Sequence, residues 1–398
     1  MSLEGRTIAV IGAGIGGLAA ATALAQRRAH VQVFEQADAL TEVGAGIQVA
    51  PNGVAVLEAL GMRDAAEACA SLPEAVELRD HRGGRLVARL PLGRQCVARY
   101  GRPYWQFHRA DLLAILAAAA LEAGVQIRLA ASVAEVRPEV EGLTALTADG
   151  ARHHAEIVVA ADGLRSGIRS GHFAAPPPRF TGHVAWRGLV DAARVPAELC
   201  DPAARVTMAP GRHLVTYPLR GGRVVNFVAV EERAAWTAEG WSIPDDPVAL
   251  CRAFAGWDGA AGELLAAVTA CHLWGLFDHA PLPAWTAGRL ALLGDACHPM
   301  LPFLAQGATM ALEDAWVLAA ELALAADPAR GLSAYEAARL PRATRVQRAA
   351  ARNGRIYHLR PGLREPAHLG LAAAAAVAPS LLSRRFDWLF GGDVTRMG

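Results

Sequence analysis

A strand-like run leads directly into a cluster of glycines near the start of this chain. Residues 7–11 read TIAVI, a continuous apolar run rich in β-branched residues, typical of a strand buried on both faces of a parallel sheet. The next residues are GAGIGG, in which Gly12, Gly14 and Gly17 fit the GxGxxG pattern. The first glycine permits a tight turn, the second lets the backbone approach a pyrophosphate, and the third lets a helix pack on the strand. This order predicts a dinucleotide-binding β-α-β unit.

The segments after the glycines support the same unit. LAAATALAQR, which begins at residue 18, is strongly helix-forming, and the amino end of such a helix offers unpaired N–H groups to a phosphate. The next strand-like run, VQVFE, ends at Glu35, where a carboxylate that binds a ribose belongs. The sequence has no second GxGxxG and no CxxC pair, so a disulfide reductase with two nucleotide sites is disfavoured.

Composition and charge limit the remaining classes of function. The composition, 53% hydrophobic and 19% charged, is typical of a folded globular protein. The length of 398 residues fits two or three domains, or a single large α/β unit with an inserted lobe. The net charge of +1 gives no basic field for nucleic acid. The six cysteines are widely spaced, which argues against a disulfide framework or a zinc ribbon. We therefore expect a cytoplasmic protein that binds a small molecule, with no metal site and no membrane segment.

The middle of the chain changes to short alternating segments. Between residues 180 and 279, HVAWRGLV, HLVTYPL and RVVNFVAV are separated by glycine and proline turns, which predicts an antiparallel sheet. Residues two apart on a strand share a face, so His213, Val215 and Tyr217 should point to the same side. From residue 312 onwards alanine, leucine and charged residues dominate, which predicts helices.

A second ligand-binding motif lies near the start of these helices. RLALLGD predicts a short strand that ends at Asp295, at the sheet edge where α/β proteins bind ligands. Together with the following ACHPMLPFLAQGATM, it closely resembles the second FAD fingerprint of the single-component flavin aromatic hydroxylases. The resemblance implies that Asp295 binds the ribityl chain and that Pro302 lies near the isoalloxazine face. It also implies that three residues at a helix amino terminus face the N1 and O2 edge of the flavin, where negative charge accumulates: Gln306, Gly307 and Ala308.

Further motifs of this family follow in the expected order along nearly the whole chain. VVAADGLRSGIR resembles its DG motif, in which Asp162 is linked to both FAD and NAD(P)H, and YWQFHRADLL carries its HRADL signature, with Arg109 reaching the flavin. GAGIQVAPNGVAVLEALG resembles the segment beside the isoalloxazine, and RRFDWLFGGD resembles the last segment of the family. The predicted FAD contacts in the former segment are Gly46, Ile47 and Gln48. The predicted cofactor-binding set also contains Ile15, Gln36 and Val133.

The resemblance implies an α/β fold with a Rossmann-like FAD-binding domain, an inserted antiparallel β-sheet substrate domain and C-terminal helices. We expect the FAD-binding domain to comprise residues 1–179 and 281–330, the substrate domain residues 180–280, and the helical segment residues 331–398.

The same resemblance implies an FAD-dependent monooxygenase that consumes NADH or NADPH and O2. It would hydroxylate a small aromatic phenolic acid through a C4a-hydroperoxyflavin. Loss of the proton from a ring hydroxyl makes the ring electron-rich, and a histidine can accept that proton at neutral pH. We therefore expect His213 to be the base or proton relay and Tyr217 to orient the substrate oxygen, as a matching pair in hydroxybenzoate and hydroxynicotinate hydroxylases suggests. The expected lining of the substrate pocket is Tyr104, Trp186, Arg187 and Phe303, with the arginine suited to a carboxylate.

Several alternatives stay open. Salicylate or another monohydroxybenzoate is the first expectation for the substrate, because LPFLAQGA resembles the salicylate-hydroxylase-like branch. The second is 6-hydroxynicotinate, whose hydroxylases tend to carry histidine where this chain has Phe303; a urate, phenazine or other heteroaromatic substrate also remains. A flavin oxidase and a non-catalytic flavin-binding regulator are the rival classes, and a homodimer is one alternative for the assembly.

Overall fold

Short strands and helices alternate along the chain of this computed structural model, which describes residues 2–41, 45–236 and 242–396. The strands are β1 (Thr7–Ile11), β2 (His30–Phe34), β3 (Gly46–Val49), β4 (Ala75–Asp80), β5 (Leu86–Pro91), β6 (Trp105–His108), β7 (Gln126–Arg128), β8 (Val133–Glu139), β9 (Gly142–Thr147), β10 (Arg152–Ala155), β11 (Ile157–Ala160), β12 (Arg179–Asp191), β13 (Ala203–Ala209), β14 (Arg212–Leu219), β15 (Val224–Glu232), β16 (Ser242–Asp245), β17 (Cys271–Asp278), β18 (Thr286–Ala287) and β19 (Leu290–Leu292). The helices are α1 (Ile15–Ala25), α2 (Pro51–Ala59), α3 (Arg63–Cys69), α4 (Gly93–Tyr100), α5 (Arg109–Glu122), α6 (Gly167–His172), α7 (Pro247–Ala253), α8 (Gly259–Ala267), α9 (Gly307–Leu324), α10 (Pro328–Tyr357), α11 (Arg364–Val377), α12 (Pro379–Arg384) and α13 (Asp387–Phe390).

The first sheet has six strands in the order β18-β19-β11-β1-β2-β7. All neighbours are parallel except β18 and β19. Strands β11 and β19 are buried along their whole length and β1 along all but its first residue, as their continuous apolar sequences predict. Because parallel strands end at the same edge, the glycine turn after β1, the DG segment after β11 and the GD segment after β19 all meet there.

The glycine turn between β1 and α1 needs its glycines for space and conformation. Gly12 has φ +100°, a region that side-chain-bearing residues rarely adopt. A Cβ atom at Gly17 would collide with the carbonyl oxygen of Gly12, whereas a Cβ at Gly14 would meet no atom within 4 Å. The fold therefore requires glycine at positions 12 and 17, whereas Gly14 leaves open space that no other protein atom fills.

The second sheet has eight strands in the order β16-β17-β12-β15-β14-β13-β4-β5. Its neighbours are antiparallel except for β13 and β4. The antiparallel sheet predicted for residues 180–280 is thus present, but it also takes β4 and β5 from residues 75–91. The reason is that β13 would otherwise leave a row of backbone groups unpaired at an edge, and β4 pairs with them.

Helices cover both sheets. Helix α1 packs against α5 and α9 over the first sheet, while α7 and α8 cover one face of the second. Helix α10 begins at an Asp327 cap and packs on α9. Its buried positions recur every three or four residues, as in an amphipathic helix: Leu332, Tyr335, Arg339, Ala343, Val346, Ala350 and Gly354. The predicted α/β class with an inserted antiparallel sheet and C-terminal helices is confirmed. In the described parts of the chain, no helix has the length and apolar character needed to cross a bilayer.

A buried ion network fixes α9 against α10. Glu313 and Asp314 of α9 are fully buried, and Arg339 of α10 contacts both carboxylates, with its Nε atom 2.7 Å from Asp314 Oδ1. Arg342 donates to the two oxygens of Glu313 at 2.7 and 2.8 Å. The Asn52 side chain of α2 donates to Glu313 at 2.6 Å, so a third helix joins the network.

His298, in the loop after β19, completes the network by contacting Asp314. Burial lowers the pKa of His298, but the Asp314 carboxylate and Cys297 raise it by more, so the pKa lies well above its usual value. For Asp314, burial raises the pKa, but His298 and Arg339 outweigh it and the net pKa is lowered. The histidine is therefore a buried cation that forms an ion pair with Asp314.

Replacing Arg339 with methionine should destabilise the fold, because two carboxylates would stay buried without their main cation. We expect the free energy of unfolding to fall by about 3–5 kcal/mol, as for other broken buried ion pairs. Urea denaturation followed by circular dichroism measures it. Arg330→Met, at an exposed position of the same helix, is the control and should change it little. A wild-type denaturation curve for Arg339→Met would show that the network does not hold the helices together.

Candidate active site

A cavity of about 1610 Å³ lies where the ligand-binding edge of the first sheet faces the second sheet. It is lined by residues of the segments that follow β1, β11 and β19, of the second sheet, and of α9 and α10. The predicted site residues that line it are Gly14, Ile15, Gly46, Ile47, Gln48, Tyr104, Arg109, Arg187, His213, Tyr217, Asp295, Pro302, Phe303, Gln306, Gly307 and Ala308. Positions predicted from six separate segments of the sequence therefore meet around one space.

The other predicted cofactor residues do not line this cavity. They are Gly12, Gly17, Glu35, Gln36, Val133 and Asp162. Glu35 follows β2 and accepts hydrogen bonds from the N–H groups of Ala13, at 2.7 Å, and Ala37, at 2.9 Å. Its carbonyl oxygen accepts from Ala131, two residues before Val133. These residues thus form a separate group beside the glycine turn.

Asp162 lies behind the glycine turn, at the end of β11. Its Cα atom would be 3.3 Å from a Cβ atom at Gly12, so the DG segment and the glycine turn are in close contact. Its Oδ1 atom is buried without a hydrogen-bond partner among the described residues. Burial raises the pKa of this carboxyl group, partly offset by hydrogen bonds from Ser166 and backbone groups.

Polar groups without protein partners surround the start of α9. The side-chain amide of Gln306 is buried, and neither its nitrogen nor its oxygen is hydrogen-bonded to any described residue. The first N–H groups of α9, from Gly307 on, also lie at the cavity, and a helix amino terminus favours negative charge there. Asp295 faces the cavity, and burial among protein atoms on its other sides raises its pKa. Buried polar groups of this kind normally have partners, so the cavity is suited to a ligand that supplies them.

The alternation of β14 places its residues as predicted. His213, Val215 and Tyr217 all line the cavity, whereas Leu214 lies in the core beneath α7 and α8. The Tyr217 hydroxyl lies where a side chain at position 46 would have to go, so only glycine fits there.

Asn226, which the sequence did not single out, and the predicted residues Tyr104 and Gln48 fix this part of the cavity. Asn226 of β15, which pairs with Tyr217 in the sheet register, accepts a hydrogen bond of 2.6 Å from the Gly46 N–H and so fastens β3 to the second sheet. Tyr104 donates to Gln48 at 2.9 Å. Burial raises the pKa values of both Tyr104 and Tyr217, which keeps their hydroxyl groups protonated.

His213 is buried between aromatic rings at the far side of the cavity. Its ring centroid is 5.2 Å from those of Phe303 and Tyr357. Its Nδ1 atom is 2.7 Å from Nε2 of His358, at the end of α10, so one ring donates a proton to the other. Burial, then the neighbouring rings of His358 and His183, lower the pKa of His213 well below its usual value. The imidazole is therefore neutral at neutral pH and able to accept a proton. Sequence reasoning missed His358, because it lies 145 residues from His213.

Arg187 and Trp186 occupy opposite faces of β12, and only Arg187 lines the cavity. The prediction that Trp186 lines the pocket is wrong: its ring packs against Phe254 in the core beneath α7 and α8, and its Nε1 atom donates to Asp245 at 2.6 Å. Successive strand residues alternate in direction, so both could not face the pocket. Burial, and then the neighbouring Arg109, lower the pKa of Arg187 to about 10, so it stays a cation at neutral pH.

Comparison with known proteins identifies the family of this chain. The family model described as an FAD binding domain matches residues 6–350. The 3-amino-4-hydroxybenzoate 2-monooxygenase PtmB3 of Streptomyces platensis is 42% identical over 89% of both chains. The 6-hydroxynicotinate 3-monooxygenase of Bordetella bronchiseptica is 36% identical over 87% of this chain and 91% of its own.

Two solved structures share the fold over almost the full length. Klebsiella pneumoniae HpxO, complexed with FAD and uric acid, has a TM-score of 0.87 and 29% identity, covering 100% of this chain and 99% of its own. A salicylate hydroxylase in complex with its substrate has a TM-score of 0.81 and 28% identity, covering 98% and 96%. The predicted flavin cofactor and oxidoreductase class are confirmed by these matches. The chain belongs to the FAD-binding-domain family and is an FAD-dependent aromatic-ring monooxygenase.

Proposed function

We propose that this enzyme hydroxylates 3-amino-4-hydroxybenzoate or a closely similar 4-hydroxybenzoate, using FAD, NADH or NADPH, and O2. The observation that carries the proposal is the pairing of a neutral base, His213, with a cation, Arg187, on the same face of the second sheet. A phenolic acid offers a hydroxyl group to the first and a carboxylate to the second.

The positions of these two groups favour a ring with its substituents at opposite ends. Arg187 pairs with Val228, and Val228 pairs with Val215, which is two residues from His213 on β14. Arg187 and His213 therefore lie on strands separated by β15, and two strand spacings hold their backbones at least about 10 Å apart. A 4-hydroxybenzoate, with its hydroxyl and carboxylate at opposite ends of the ring, suits two side chains that enter the cavity from separate strands better than salicylate, which carries these groups on adjacent carbons.

The relatives support the same order of substrates. The matched monooxygenase at 42% identity is named for 3-amino-4-hydroxybenzoate, and the one at 36% for 6-hydroxynicotinate, while the salicylate hydroxylase structure is 28% identical. The sequence alone put salicylate first, and we now place it below the other two. Phe303, where histidine was expected for a 6-hydroxynicotinate enzyme, keeps that acid second.

FAD would extend from the predicted residues beside the glycine turn to those that line the large cavity. The adenosine would lie beside Glu35, Gln36 and Val133, and the pyrophosphate over Gly12 and Gly14. Asp295 would bind the ribityl chain, and the ring would meet the unpaired groups at the start of α9, with the Gly46–Gln48 strand and Arg109 on its other sides. When bound, FAD accepts hydride from NAD(P)H and activates O2, which no side chain can do.

The side chains of this chain would prepare the substrate. His213 accepts the hydroxyl proton, which makes the ring electron-rich at the carbon to be hydroxylated. Tyr217, kept protonated by burial, donates a hydrogen bond to the resulting oxyanion. Arg187 holds the carboxylate, and the apolar walls exclude water that would otherwise compete.

The substrate assignment can be tested by following NADH and NADPH oxidation with four acids. We expect 3-amino-4-hydroxybenzoate to accelerate oxidation most and to gain one oxygen atom by mass spectrometry, with 6-hydroxynicotinate second and 3-hydroxybenzoate and salicylate weaker. Hydrogen peroxide is measured in the same samples. Stimulation that yields only peroxide would mean that the acid is a non-substrate effector. Substrate-dependent peroxide without a pyridine nucleotide would favour an oxidase, and the absence of any stimulation would favour a regulator.

Replacing His213 with asparagine should remove the base while leaving FAD bound. We expect kcat to fall by about 10²–10⁴-fold, the usual contribution of a general base. The wild-type base works when neutral and its pKa is lowered, so kcat/KM should fall only at a pH below 6.5, and the variant should lose this acidic limb. His30→Asn, at an exposed strand position, is the control. Wild-type turnover by His213→Asn would exclude the proposed role.

Replacing Gly14 with alanine tests where the pyrophosphate lies. A Cβ atom there meets no protein atom within 4 Å, and the backbone of Gly14 (φ −73°) suits alanine, so the fold should be unchanged. We expect FAD to bind about tenfold more weakly, because the methyl group would block the close approach of the phosphate. Fluorescence titration of the apoprotein with FAD measures this, and Gly171→Ala, another position with open space, is the control. Unchanged affinity would place the pyrophosphate elsewhere.

A further inference from the structure

A second, smaller cavity lies beside the part of the large cavity that contains Phe303. Its volume is about 520 Å³, and its lining includes His183, Glu232 and Arg355. Phe303 lines both cavities, so this ring forms part of the wall between them.

A continuous chain of hydrogen bonds passes through this wall. His213 lines the large cavity, and its Nδ1 atom is 2.7 Å from Nε2 of His358. His358 is buried and lines neither cavity. Its Nδ1 atom is 2.9 Å from Oε1 of Glu232, whose side chain is 53% exposed in the smaller cavity. Each imidazole thus uses one nitrogen for each neighbour in the series.

This series of hydrogen bonds passes beside the apolar ring of Phe303. The ring centroid of Phe303 is 5.2 Å from that of His213, 5.6 Å from that of His183 and 6.4 Å from that of His358, so an apolar ring fills the space beside the three imidazoles. Burial among these apolar groups disfavours an imidazolium, so a proton that His213 takes up needs an acceptor. Among the described residues, the side chain hydrogen-bonded to His213 is that of His358.

We propose that His213, His358 and Glu232 form a proton path from the substrate pocket to the smaller cavity. The proposal rests on the proposed function, because the proton comes from the substrate hydroxyl. His213 accepts that proton on Nε2 and passes its Nδ1 proton to Nε2 of His358. His358 passes its own Nδ1 proton to the Glu232 carboxylate, which releases one to solvent. Each step breaks one bond to hydrogen and forms another, and no electrons are transferred between groups.

The path is separate from the space that substrate and flavin would fill. One proton leaves for each hydroxyl ionised, and protonation of the product reverses the steps and restores both imidazoles. Other charged or titratable groups face the path from each packed element: His183 from β12, Tyr357 and Arg355 from α10, and the Arg179–Asp278 ion pair in the smaller cavity.

Glu232→Gln separates proton transfer from a structural tether. A glutamine oxygen still accepts the hydrogen bond from His358, so the link between α10 and β15 is kept, but the amide cannot take up the proton. His358→Gln is the second variant, since an amide can also bridge two neighbours without relaying a proton. Glu231→Gln is the matched control: the neighbouring carboxylate pairs with Arg212, at 3.1 Å, and Arg233, at 2.9 Å, and takes no part in the path.

The first measurement is proton release when 3-amino-4-hydroxybenzoate is mixed with the oxidised, FAD-loaded enzyme in weak buffer, followed with a pH indicator dye by stopped flow. We expect both path variants to release the proton about tenfold more slowly than the wild type and the control, with unchanged substrate affinity. Acetate or imidazole at high concentration should speed release by Glu232→Gln, because a small acid–base pair can replace the carboxylate at the surface. Release at the wild-type rate by both variants would overturn the proposal.

The second measurement needs no substrate. In the FAD-loaded enzyme labelled with ¹⁵N-histidine, nuclear magnetic resonance reports exchange of the His213 ring proton with water. We expect this exchange to be about tenfold slower in both path variants than in the control. Equal exchange rates would contradict the path even if every acid tested proved not to be a substrate, so failure of the path and failure of the proposed function are distinguished.

Discussion

The buried ion pairs of Arg339 with Glu313 and Asp314 are the interaction on which the site depends most. Helix α9 presents its amino terminus to the cavity, and the direction of that helix is set where its two buried carboxylates meet α10, α2 and the loop after β19. Two adjacent buried carboxylates would repel each other without the cations around them. The charges therefore hold one helix end in a fixed position, where the unpaired groups of Gln306 and Gly307 can serve a ligand.

The features of the fold and of the site that could be predicted are those that depend on a local sequence pattern. The glycine spacing after β1, the aspartate after β19 and the alternation of β14 each depend on neighbours within a few residues, and each has the geometry expected. The prediction for Trp186 was wrong because neighbouring strand residues point to opposite faces. The strand that directs Arg187 into the cavity therefore directs Trp186 away from it. The pairing of β4 with β13 and the partners Asn226 and His358 could not be predicted, because they join segments separated by more than a hundred residues. Arg339 could not be predicted either, because only the tertiary fold decides where its side chain points.

The cavity combines two electrostatic environments that are usually opposed. Around the start of α9, N–H groups and Arg109 favour negative charge, as a reduced flavin requires. Around His213, apolar rings favour neutral groups, which keeps the imidazole neutral until a substrate supplies a second proton. A phenolic acid bound as proposed would place its hydroxyl group beside His213 and its carboxylate beside Arg187, which both line this cavity.

The strand order of the first sheet has a consequence for how the protein is made. Its three central neighbours come from residues 7–11, 157–160 and 290–292, so the edge that would hold FAD is complete only after most of the chain has left the ribosome. Contacts between such distant segments form slowly, because the intervening loops must close first. The glycine turn is synthesised first, but the segments after β11 and β19 that lie beside it are synthesised much later. We therefore expect FAD to bind late in folding.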